Sequence, residues 1–306
     1  MTTREIRPYR IPNVGNKMLE KVFLNDKLVD ISKANVSVSD SGLLYGAGLF
    51  ETMQARAGQV FALKDHLDRL FSSAKTLSID IGYDKECITD AIDKVLRTND
   101  LKDARLRLTV TGGAMSQEAE ARKSTLLITA AKLTAYPPEY YRKGVMVLLC
   151  PYRQNPNDPT CGHKVTSYFP RMIGLKFAHE KGAAEALWFT TDNRLAEGCI
   201  SNVFLVKDSV LYTPPVSTPV LAGIARKAVC RIAVDNSIGL VEKDLYIDDV
   251  LHADEIFLTN VIMQVMPVNS VEKHTVGEGK VGPMAKKLRQ YFDQMVAREC
   301  RITNNE

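Results

Sequence analysis

Residues 195–206 read LAEGCISNVFLV, a stretch in which one carboxylate stands before a turn of small residues and an apolar strand. Glu197 ends one segment, and the turn that follows leads directly into the strand 203–206. A carboxylate next to an apolar strand costs free energy unless a cation or a hydrogen-bond donor accompanies it. Taken alone, the pattern fits a solvated turn glutamate equally well, so the surrounding sequence has to decide.

Strands and helices alternate on both sides of this stretch, as judged from the period of the apolar residues. The first half is predicted to hold a hairpin at 21–39 with its turn at Asn25-Asp26, helices at 63–77 and 86–96, and strands at 104–111 and 124–133. The second half is predicted to hold strands at 144–150, 185–190, 202–207, 210–213 and 255–258 and helices at 168–181 and 223–236. The fold class is therefore α/β, with an α+β half followed by an α/β half.

A change in composition marks the boundary between the halves. Residues 136–142 contain proline and show no regular period, and residues 151–162 form a polar, proline-rich loop. Segments of this kind commonly connect domains. We therefore expect a small α+β domain at 1–143, a connection at 144–152 and a larger α/β domain at 153–306.

Composition narrows the class of protein. The 306 residues are 45% apolar and 25% charged, with 40 basic residues against 36 acidic ones and no basic block, so nucleic acid is not an expected partner. No apolar run reaches membrane-spanning length, and the N-terminus lacks a signal-peptide core. Six scattered cysteines predict reduced thiols and a cytoplasmic location. Five histidines without ligand spacing give no support for a metal site.

Four stretches contain residues suited to chemistry. Lys164 in GHKVTSYFPR has no acidic neighbour. Arg69 in HLDRL lies off the apolar stripe of its helix, together with His66. Gly223 precedes a helix whose first N–H groups can receive an anion. The glycine-rich stretch 40–52 does not match a nucleotide loop and fits a turn before a buried strand. Each has a plain alternative as a surface residue or an ordinary helix start. Together with Glu197, however, they supply the groups that pyridoxal 5'-phosphate needs.

The order of these stretches resembles the class IV aminotransferases, the fold-type IV pyridoxal-phosphate enzymes with the D-amino acid aminotransferase-like fold. This family includes branched-chain amino acid aminotransferases, D-amino acid aminotransferases and aminodeoxychorismate lyases. Six stretches from about residue 22 to residue 268 carry the resemblance: GLLYGAGLFET, HLDRL, KVTSY, LAEGCISNVFLV, YTPPVSTPVLAGIAR and EIFLTNVIMQVMPV.

The resemblance implies a role for individual residues. Lys164 is expected to be the catalytic Schiff-base lysine, and Glu197 is expected to pair with the pyridine nitrogen of the cofactor. The implied cofactor-binding residues are Arg69, Tyr168, Glu197, Leu221, Ile224, Ala225 and Thr259, and the implied substrate-binding residues are Phe50, Arg107 and Asn260. Three positions depart from the usual family pattern, namely Ala47, Ala225 and Val261, and the last two each remove a hydroxyl from the expected phosphate site.

Two reactions of the family remain open on the sequence. Glu51 and Arg107 favour an aminotransferase of the branched-chain type, which moves an amino group from an amino acid to a 2-oxo acid. The stretch TNVIMQVMPV and Asn260 favour the alternative, an aminodeoxychorismate lyase that forms 4-aminobenzoate and pyruvate. The loop 112–122 lacks the Arg and His of D-amino acid aminotransferases. A non-catalytic relic of the fold is disfavoured because Lys164, Glu197 and Arg69 are all retained.

A homodimer is also expected from the resemblance. Apolar residues in GLLYGAGLF run further than one buried strand face requires, which suits a two-fold interface. The alternative is a strand buried on both faces within one domain. The residues concerned are Leu43, Leu44, Tyr45, Leu49 and Phe50.

Overall fold

The computed structural model describes residues 21–115 and 124–300, which divide into two compact units. Within that range the first unit comprises residues 21–134, 163–168 and 294–300, and the second comprises 135–162 and 169–293. The boundary between them thus falls after residue 134, whereas the sequence placed a connection at 144–152. The reason is that residues 145–154 form a strand with hydrogen-bonded neighbours on both sides within the second unit.

The first unit is a six-stranded antiparallel sheet with two long helices. The strands are β1 (Lys21–Leu24), β2 (Lys27–Asp30), β3 (Gly48–Arg56), β4 (Gln59–Val60), β5 (Ala104–Thr111) and β6 (Thr125–Lys132). The helices are α1 (Ser41–Tyr45), α2 (Leu63–Thr76) and α3 (Lys85–Thr98). Across the sheet the strands follow the order β2-β1-β6-β5-β3-β4.

Alternation of apolar and polar residues builds this sheet as the sequence predicts. In β5, Leu106, Leu108 and Val110 are fully buried, and they join one core with the apolar stripes of α2 and α3. The predicted hairpin is confirmed for β1 and β2, where Asn25 takes the left-handed conformation (φ 54°) that a two-residue turn requires. Residues 34–39, which the sequence assigned to the same hairpin, form no strand.

The segment 163–168 belongs to the first unit and is bonded to the start of β3 through an isolated bridge. The N–H of Phe50 donates to the carbonyl of Lys164 at 2.8 Å, and the N–H of Thr166 donates to the carbonyl of Gly48 at 2.8 Å. Leu49 and Val165 form the antiparallel bridge between these two bonds. The backbone at Lys164 is therefore fixed by residues more than a hundred positions earlier in the chain.

The second unit is built on a nine-stranded mixed sheet. Its strands are β7 (Val145–Gln154), β8 (Glu185–Thr190), β9 (Leu195–Gly198), β10 (Asn202–Lys207), β11 (Val210–Thr213), β12 (Leu240–Glu242), β13 (Glu255–Asn260), β14 (Gln264–Val271) and β15 (His274–Thr275). Its helices are α4 (Pro138–Lys143), α5 (Phe169–Glu180), α6 (Ile224–Asp235), α7 (Ile247–Leu251) and α8 (Pro283–Glu299), the last of which ends in the first unit. The strand order is β12-β11-β10-β13-β14-β7-β8-β9, with β15 on β14.

Several predicted elements of this unit agree with the structure to within two residues, and two differ. The segment predicted to be irregular at 136–142 contains α4, because Pro138 has the backbone angle of a first helical residue and lacks only an N–H that the helix would leave unbonded. The loop predicted from residue 151 starts later, since β7 continues to Gln154. Within the part of the chain that the structure describes, no helix combines the length and the apolar character needed to cross a membrane.

Candidate active site

The residues predicted to act on cofactor and substrate fall into two groups. Lys164, Tyr168, Phe50, Arg69 and Arg107 belong to the first unit. The other group belongs to the second unit and consists of Glu197, Leu221, Ile224, Ala225, Thr259 and Asn260.

In the first unit, the Lys164 amine lies beside two aromatic rings. Its Nζ is 4.5 Å from the ring centre of Phe50 and 5.6 Å from that of Tyr168. The two rings meet edge to face, with their centres 5.3 Å apart, and Phe50 is buried. The backbone that carries this amine is held on β3, and the two rings lie beside the amine itself.

Arg69 lies in a buried hydrogen-bond cluster, so the plain alternative of a solvated surface arginine is wrong. Its Nε donates to Oε1 of Glu51 at 2.8 Å, and its Nη2 donates to Oε2 at 2.5 Å. Nδ1 of His66 lies 2.7 Å from the same Oε2. Glu51 and His66 are fully buried, although the helical period placed His66 on the solvated side with Arg69. Both Arg69 and His66 point inward because they bond to Glu51 on β3.

The charges in this cluster set its protonation state. Burial alone would raise the pKa of Glu51, but the Arg69 charge and the His66 hydrogen bond outweigh it and lower the pKa to about 2. Burial lowers the pKa of His66; the hydrogen bond and charge of Glu51 oppose this shift, and the Arg69 and Lys164 charges add to it, so the pKa stays below its usual value. The cluster is therefore an ionised carboxylate, a guanidinium and a neutral imidazole at neutral pH.

Arg107 lies on the face of the sheet opposite the helices. Its guanidinium carbon is 3.8 Å from the ring centre of Phe50, and its Nε donates to the hydroxyl of Thr109 at 3.3 Å. No carboxylate among residues 21–115 and 124–300 forms an ion pair with it. A guanidinium without a carboxylate partner among the described residues is suited to bind the carboxylate of a small molecule.

In the second unit, Glu197 has the cationic partner that its sequence context demanded. It lies in β9 and is 8% exposed. Oε1 accepts a hydrogen bond from Nη2 of Arg171 at 2.7 Å, and Oε2 accepts one from the N–H of Leu221 at 3.0 Å. Nδ2 of Asn202 lies 3.5 Å from Oε2. The solvated-turn alternative for Glu197 is therefore wrong.

Arg171 is a residue that the sequence reasoning missed. It also donates to Oε1 of Gln154 at 2.7 Å and to the carbonyl of Gly198 at 3.3 Å, and its guanidinium carbon lies 4.6 Å from the ring centre of Trp188. The apolar surroundings of Glu197 predicted some cation, but no pattern in the sequence indicates which of the 40 basic residues supplies it.

Glu185 is a second buried carboxylate, and it lies near the turn that follows Glu197. Its Oε1 accepts from the N–H of Ile200 at 2.6 Å, and its Oε2 accepts from the hydroxyl of Ser201 at 2.8 Å. Burial raises the pKa of Glu185 to about 7, with a further contribution from the Glu197 charge and an opposing one from Arg171. The bonds to Glu185 fix the turn that directly follows Glu197.

The start of α6 has the properties of an anion site. Gly223 precedes the helix and makes no side-chain cap, so Ile224 and Ala225 present the first helical N–H groups without a capping side chain. A Cβ at Gly223 would collide with Oδ1 of Asn202, whose Nδ2 donates to the carbonyl of Leu221 at 2.9 Å. The helix start is thus held close to β10 in a way that only glycine permits.

Thr259 and Asn260 end the neighbouring strand β13. The hydroxyl of Thr259 is buried without a hydrogen-bond partner, and Thr259 pairs with Asn202 across the sheet. Oδ1 of Asn260 accepts from the N–H groups of Ile262 and Met263, both at 2.9 Å, and its Nδ2 donates to the carbonyl of Ile200 at 3.1 Å. In this structure the Asn260 amide therefore shapes the turn after β13.

These groups fit the chemistry of pyridoxal 5'-phosphate. An uncapped helix start and an unpartnered buried hydroxyl suit a phosphate, a carboxylate held by donors suits a pyridine N–H, and a positioned amine suits an aldehyde. Among residues 21–115 and 124–300, no cluster of three or more His, Cys, Asp or Glu side chains could hold a metal ion.

Comparison with known proteins gives the class. The family model described as amino-transferase class IV matches residues 48–271, and the chain belongs to this family of enzymes. The resemblance found in the sequence is thereby confirmed.

Within the class the chain is branched-chain-like. It is 37% identical over 273 residues to a protein of Methanocaldococcus jannaschii whose provisional name is branched-chain-amino-acid aminotransferase, with 89% of this chain and 95% of that protein covered. The Escherichia coli branched-chain amino acid aminotransferase superposes with a TM-score of 0.87 at 27% identity, covering 94% of this chain and 97% of that one. The T.th. branched-chain amino acid aminotransferase with pyridoxamine 5'-phosphate superposes with a TM-score of 0.86 at 29% identity, covering 91% and 94%. The predicted fold-type IV architecture is confirmed by these structures.

Proposed function

We propose that this class IV aminotransferase moves an amino group from a branched-chain amino acid to a 2-oxo acid, with pyridoxal 5'-phosphate bound covalently at Lys164. The observation that carries the proposal is the placement of Lys164, whose amine lies 4.5 Å from the Phe50 ring centre and whose backbone is bonded to β3. A lysine held this way can exchange with a substrate amine at one fixed place.

When bound, pyridoxal 5'-phosphate supplies an aldehyde that reacts with amines and a ring that withdraws electrons from the substrate Cα. Lys164 would provide the amine for that aldehyde and move the proton at Cα. Glu197 would accept a hydrogen bond from the pyridine nitrogen and keep the proton there, since Arg171 and the Leu221 N–H hold the carboxylate in place. Tyr168 would donate to the phenolic oxygen of the cofactor.

The phosphate would be held mainly by backbone N–H groups and by one hydroxyl. Ile224 and Ala225 supply N–H groups at the start of α6, and the unpartnered Thr259 hydroxyl supplies a further donor. Ala225 and Val261 carry no hydroxyl, so the phosphate would depend more on the backbone N–H groups, on Thr259 and on Arg69, which the family resemblance implies as a phosphate ligand.

Arg107 is the proposed ligand for a substrate carboxylate. Its guanidinium stacks on Phe50, the same ring that the Lys164 amine approaches, and it has no carboxylate partner among the described residues. An anionic group bound by Arg107 would thus lie near the Phe50 ring, which the Lys164 amine also approaches. Phe50 would contact the substrate, and Asn260 would act through the turn that it holds.

The test is trapping combined with substrate assays. Borohydride reduction of the cofactor-loaded protein, followed by peptide mapping, should place the phosphopyridoxyl group on Lys164. Lys164→Ala should abolish turnover, because no other group supplies both amine exchange and proton transfer. Lys181→Ala, which removes another lysine close to an aromatic ring, is the matched control and should leave turnover unchanged.

The same preparation separates the reactions of the family. Purified protein should transfer the amino group of L-leucine, L-isoleucine or L-valine to 2-oxoglutarate. Activity confined to D-alanine, or pyruvate release from aminodeoxychorismate without transamination, would contradict the proposed substrate class. Label on a lysine other than Lys164 would contradict the proposed site.

A homodimer is the proposed assembly. Four apolar side chains within the stretch 38–45 are exposed, whereas Leu49 and Phe50 are buried within the first unit and are unavailable for an interface. We call the exposed set the α1 patch, and its members are Val38, Leu43, Leu44 and Tyr45, which are 82%, 66%, 50% and 69% exposed. An exposed patch of this kind favours burial against a second copy.

Light scattering at micromolar concentration should give twice the 34.0 kDa chain mass. Leu44→Asp should shift the protein toward the monomer, and Val234→Asp, at a 71% exposed valine outside the patch, is the control. A fully active wild-type monomer would contradict the dimer.

The cytoplasmic location remains a prediction from the scattered cysteines, which are free thiols in this structure.

A further inference from the structure

A charged side chain stands in the middle of the first unit's apolar core. Glu51 lies on the same face of β3 as Leu49 and Met53, which pack against α2 and α3. An ionised carboxylate at such a place is retained only with strong partners. The partners are both on α2, one helical turn apart, and they are His66 and Arg69.

The contact between Glu51 and Arg69 fixes the plane of the guanidinium. Both carboxylate oxygens are used, and they engage the edge of the guanidinium formed by Nε and Nη2. A bidentate contact of this type removes the rotational freedom that a long arginine side chain otherwise has. It also directs the opposite edge, which carries Nη1, away from Glu51.

His66 secures the carboxylate from the other side. As a neutral imidazole its Nδ1 donates to Oε2 of Glu51, and its Nε2 is buried without a hydrogen-bond partner. The histidine therefore adds no positive charge that would compete with Arg69 for the carboxylate. Its contribution is to fix Oε2 at the point where Nη2 of Arg69 also binds.

We infer that Glu51 is a positioning residue that, together with His66, holds the Arg69 guanidinium in the orientation that receives the cofactor phosphate. This inference rests on the proposed function, because it takes Arg69 as a phosphate ligand. The negative charge of Glu51 by itself opposes phosphate binding. What Glu51 contributes is therefore orientation, which lowers the entropy lost when the anion binds.

The experiment compares two ligands that differ only in the phosphate, pyridoxal 5'-phosphate and pyridoxal. Equilibrium titration of the cofactor-free protein, followed by absorbance, gives a dissociation constant for each. Glu51→Gln should weaken binding of pyridoxal 5'-phosphate by about tenfold, as expected for the loss of one orienting interaction, and should leave pyridoxal within about twofold. In an Arg69→Gln background, Glu51→Gln should have no further effect on either ligand.

Controls separate this role from a purely structural one. Glu255→Gln changes another buried carboxylate, which caps α8 through the N–H groups of Met284 and Ala285, and should leave the ratio of the two dissociation constants unchanged. If Glu51→Gln does not fold, His66→Leu and His66→Asn replace it. His66→Leu removes the donor to Glu51 and should weaken only the phosphorylated ligand, and His66→Asn should restore binding because its amide can donate in place of Nδ1.

Equal weakening of both ligands, or none, would overturn the inference. Failure of the proposed function would look different: wild-type protein would either not bind pyridoxal 5'-phosphate at Lys164, or bind it and not transfer the amino group of a branched-chain amino acid. Neither result depends on Glu51.

Discussion

Replacing Arg171 by Met tests whether the buried carboxylate of Glu197 depends on this cation. Arg171 is the charged partner of Glu197 at 2.7 Å, and both side chains are largely buried, at 16% and 11% exposure. Methionine has a similar length and can still pack on Trp188 through its sulfur. The substitution thus removes the charge and the hydrogen bonds while retaining most of the apolar contact.

The expected loss can be worked from these contacts. Removing one partner of a buried ion pair costs about 3–5 kcal/mol, because the other charge is left uncompensated. Glu197 keeps the Leu221 N–H on Oε2, with Asn202 close by, which places the loss near the lower end. We expect the free energy of unfolding of the cofactor-free protein to fall by about 3 kcal/mol.

Urea unfolding followed by circular dichroism measures this loss. The matched control is Arg194→Met, whose side chain is similarly covered (20% exposed) but whose partners Asp192 and Asp244 are 53% and 45% exposed. Such a pair contributes about 0–1 kcal/mol. Adding Glu197→Gln to Arg171→Met removes the unpaired charge and should recover part of the loss.

Two outcomes would refute this reasoning. One is an Arg171→Met variant that loses no more stability than Arg194→Met. The other is a double variant that is less stable than Arg171→Met alone, since that would mean that the Glu197 charge is not the source of the penalty.

The next predictions concern Glu197 and Glu185, two buried carboxylates of the second unit. Glu197→Gln should keep the cofactor bound but slow exchange of the substrate Cα proton by roughly 10²-fold, as for the loss of one electrostatic stabiliser. NMR measures this exchange, and a rate within a few-fold of wild type would exclude the role of Glu197 at the pyridine nitrogen. Glu185 has a folded-state pKa of about 7, above its usual 4.5, so the folded state binds the extra proton and wild-type stability should fall as pH rises from about 4.5 through 7. Glu185→Gln should flatten that part of the stability profile in urea unfolding, and an unchanged slope would assign it to another group.

The elements that could be predicted from the sequence are those with an unambiguous period. Strands β5, β8 and β10 match the expected ranges to the residue, because alternation or a short apolar run is bounded by turn residues. Strand β14 is not among the predicted elements, and it contains Pro267, although proline normally argues against a central strand. Here Pro267 lies opposite Phe257 of β13, and the pairing of β14 with β7 begins only at Val268.

For the site, the sequence predicted residue types better than residue partners. A lysine without acidic neighbours and a carboxylate beside an apolar strand singled out Lys164 and Glu197, but their predicted roles, like that of Arg69, rest on the family resemblance and stay predictions. The partner of Glu197 is 26 residues away, and Glu51 is 15 residues from His66. Helical periodicity treats any polar residue off the apolar stripe as solvated, so it could not predict that a carboxylate on a strand would draw His66 inward.

The bridge that the segment 163–168 forms with β3 also protects an edge of the sheet. At Gly48 and Phe50, the backbone groups that face away from β5 are bonded to Thr166 and Lys164. A fragment that ends at residue 134 would expose these groups next to the apolar Leu49, and bare edges of this kind pair with strands of other molecules. Such a fragment should aggregate when expressed alone, and a synthetic peptide covering residues 162–169 should suppress the aggregation by occupying the edge. The lysine proposed for catalysis thus lies in a segment that also keeps the sheet from self-association.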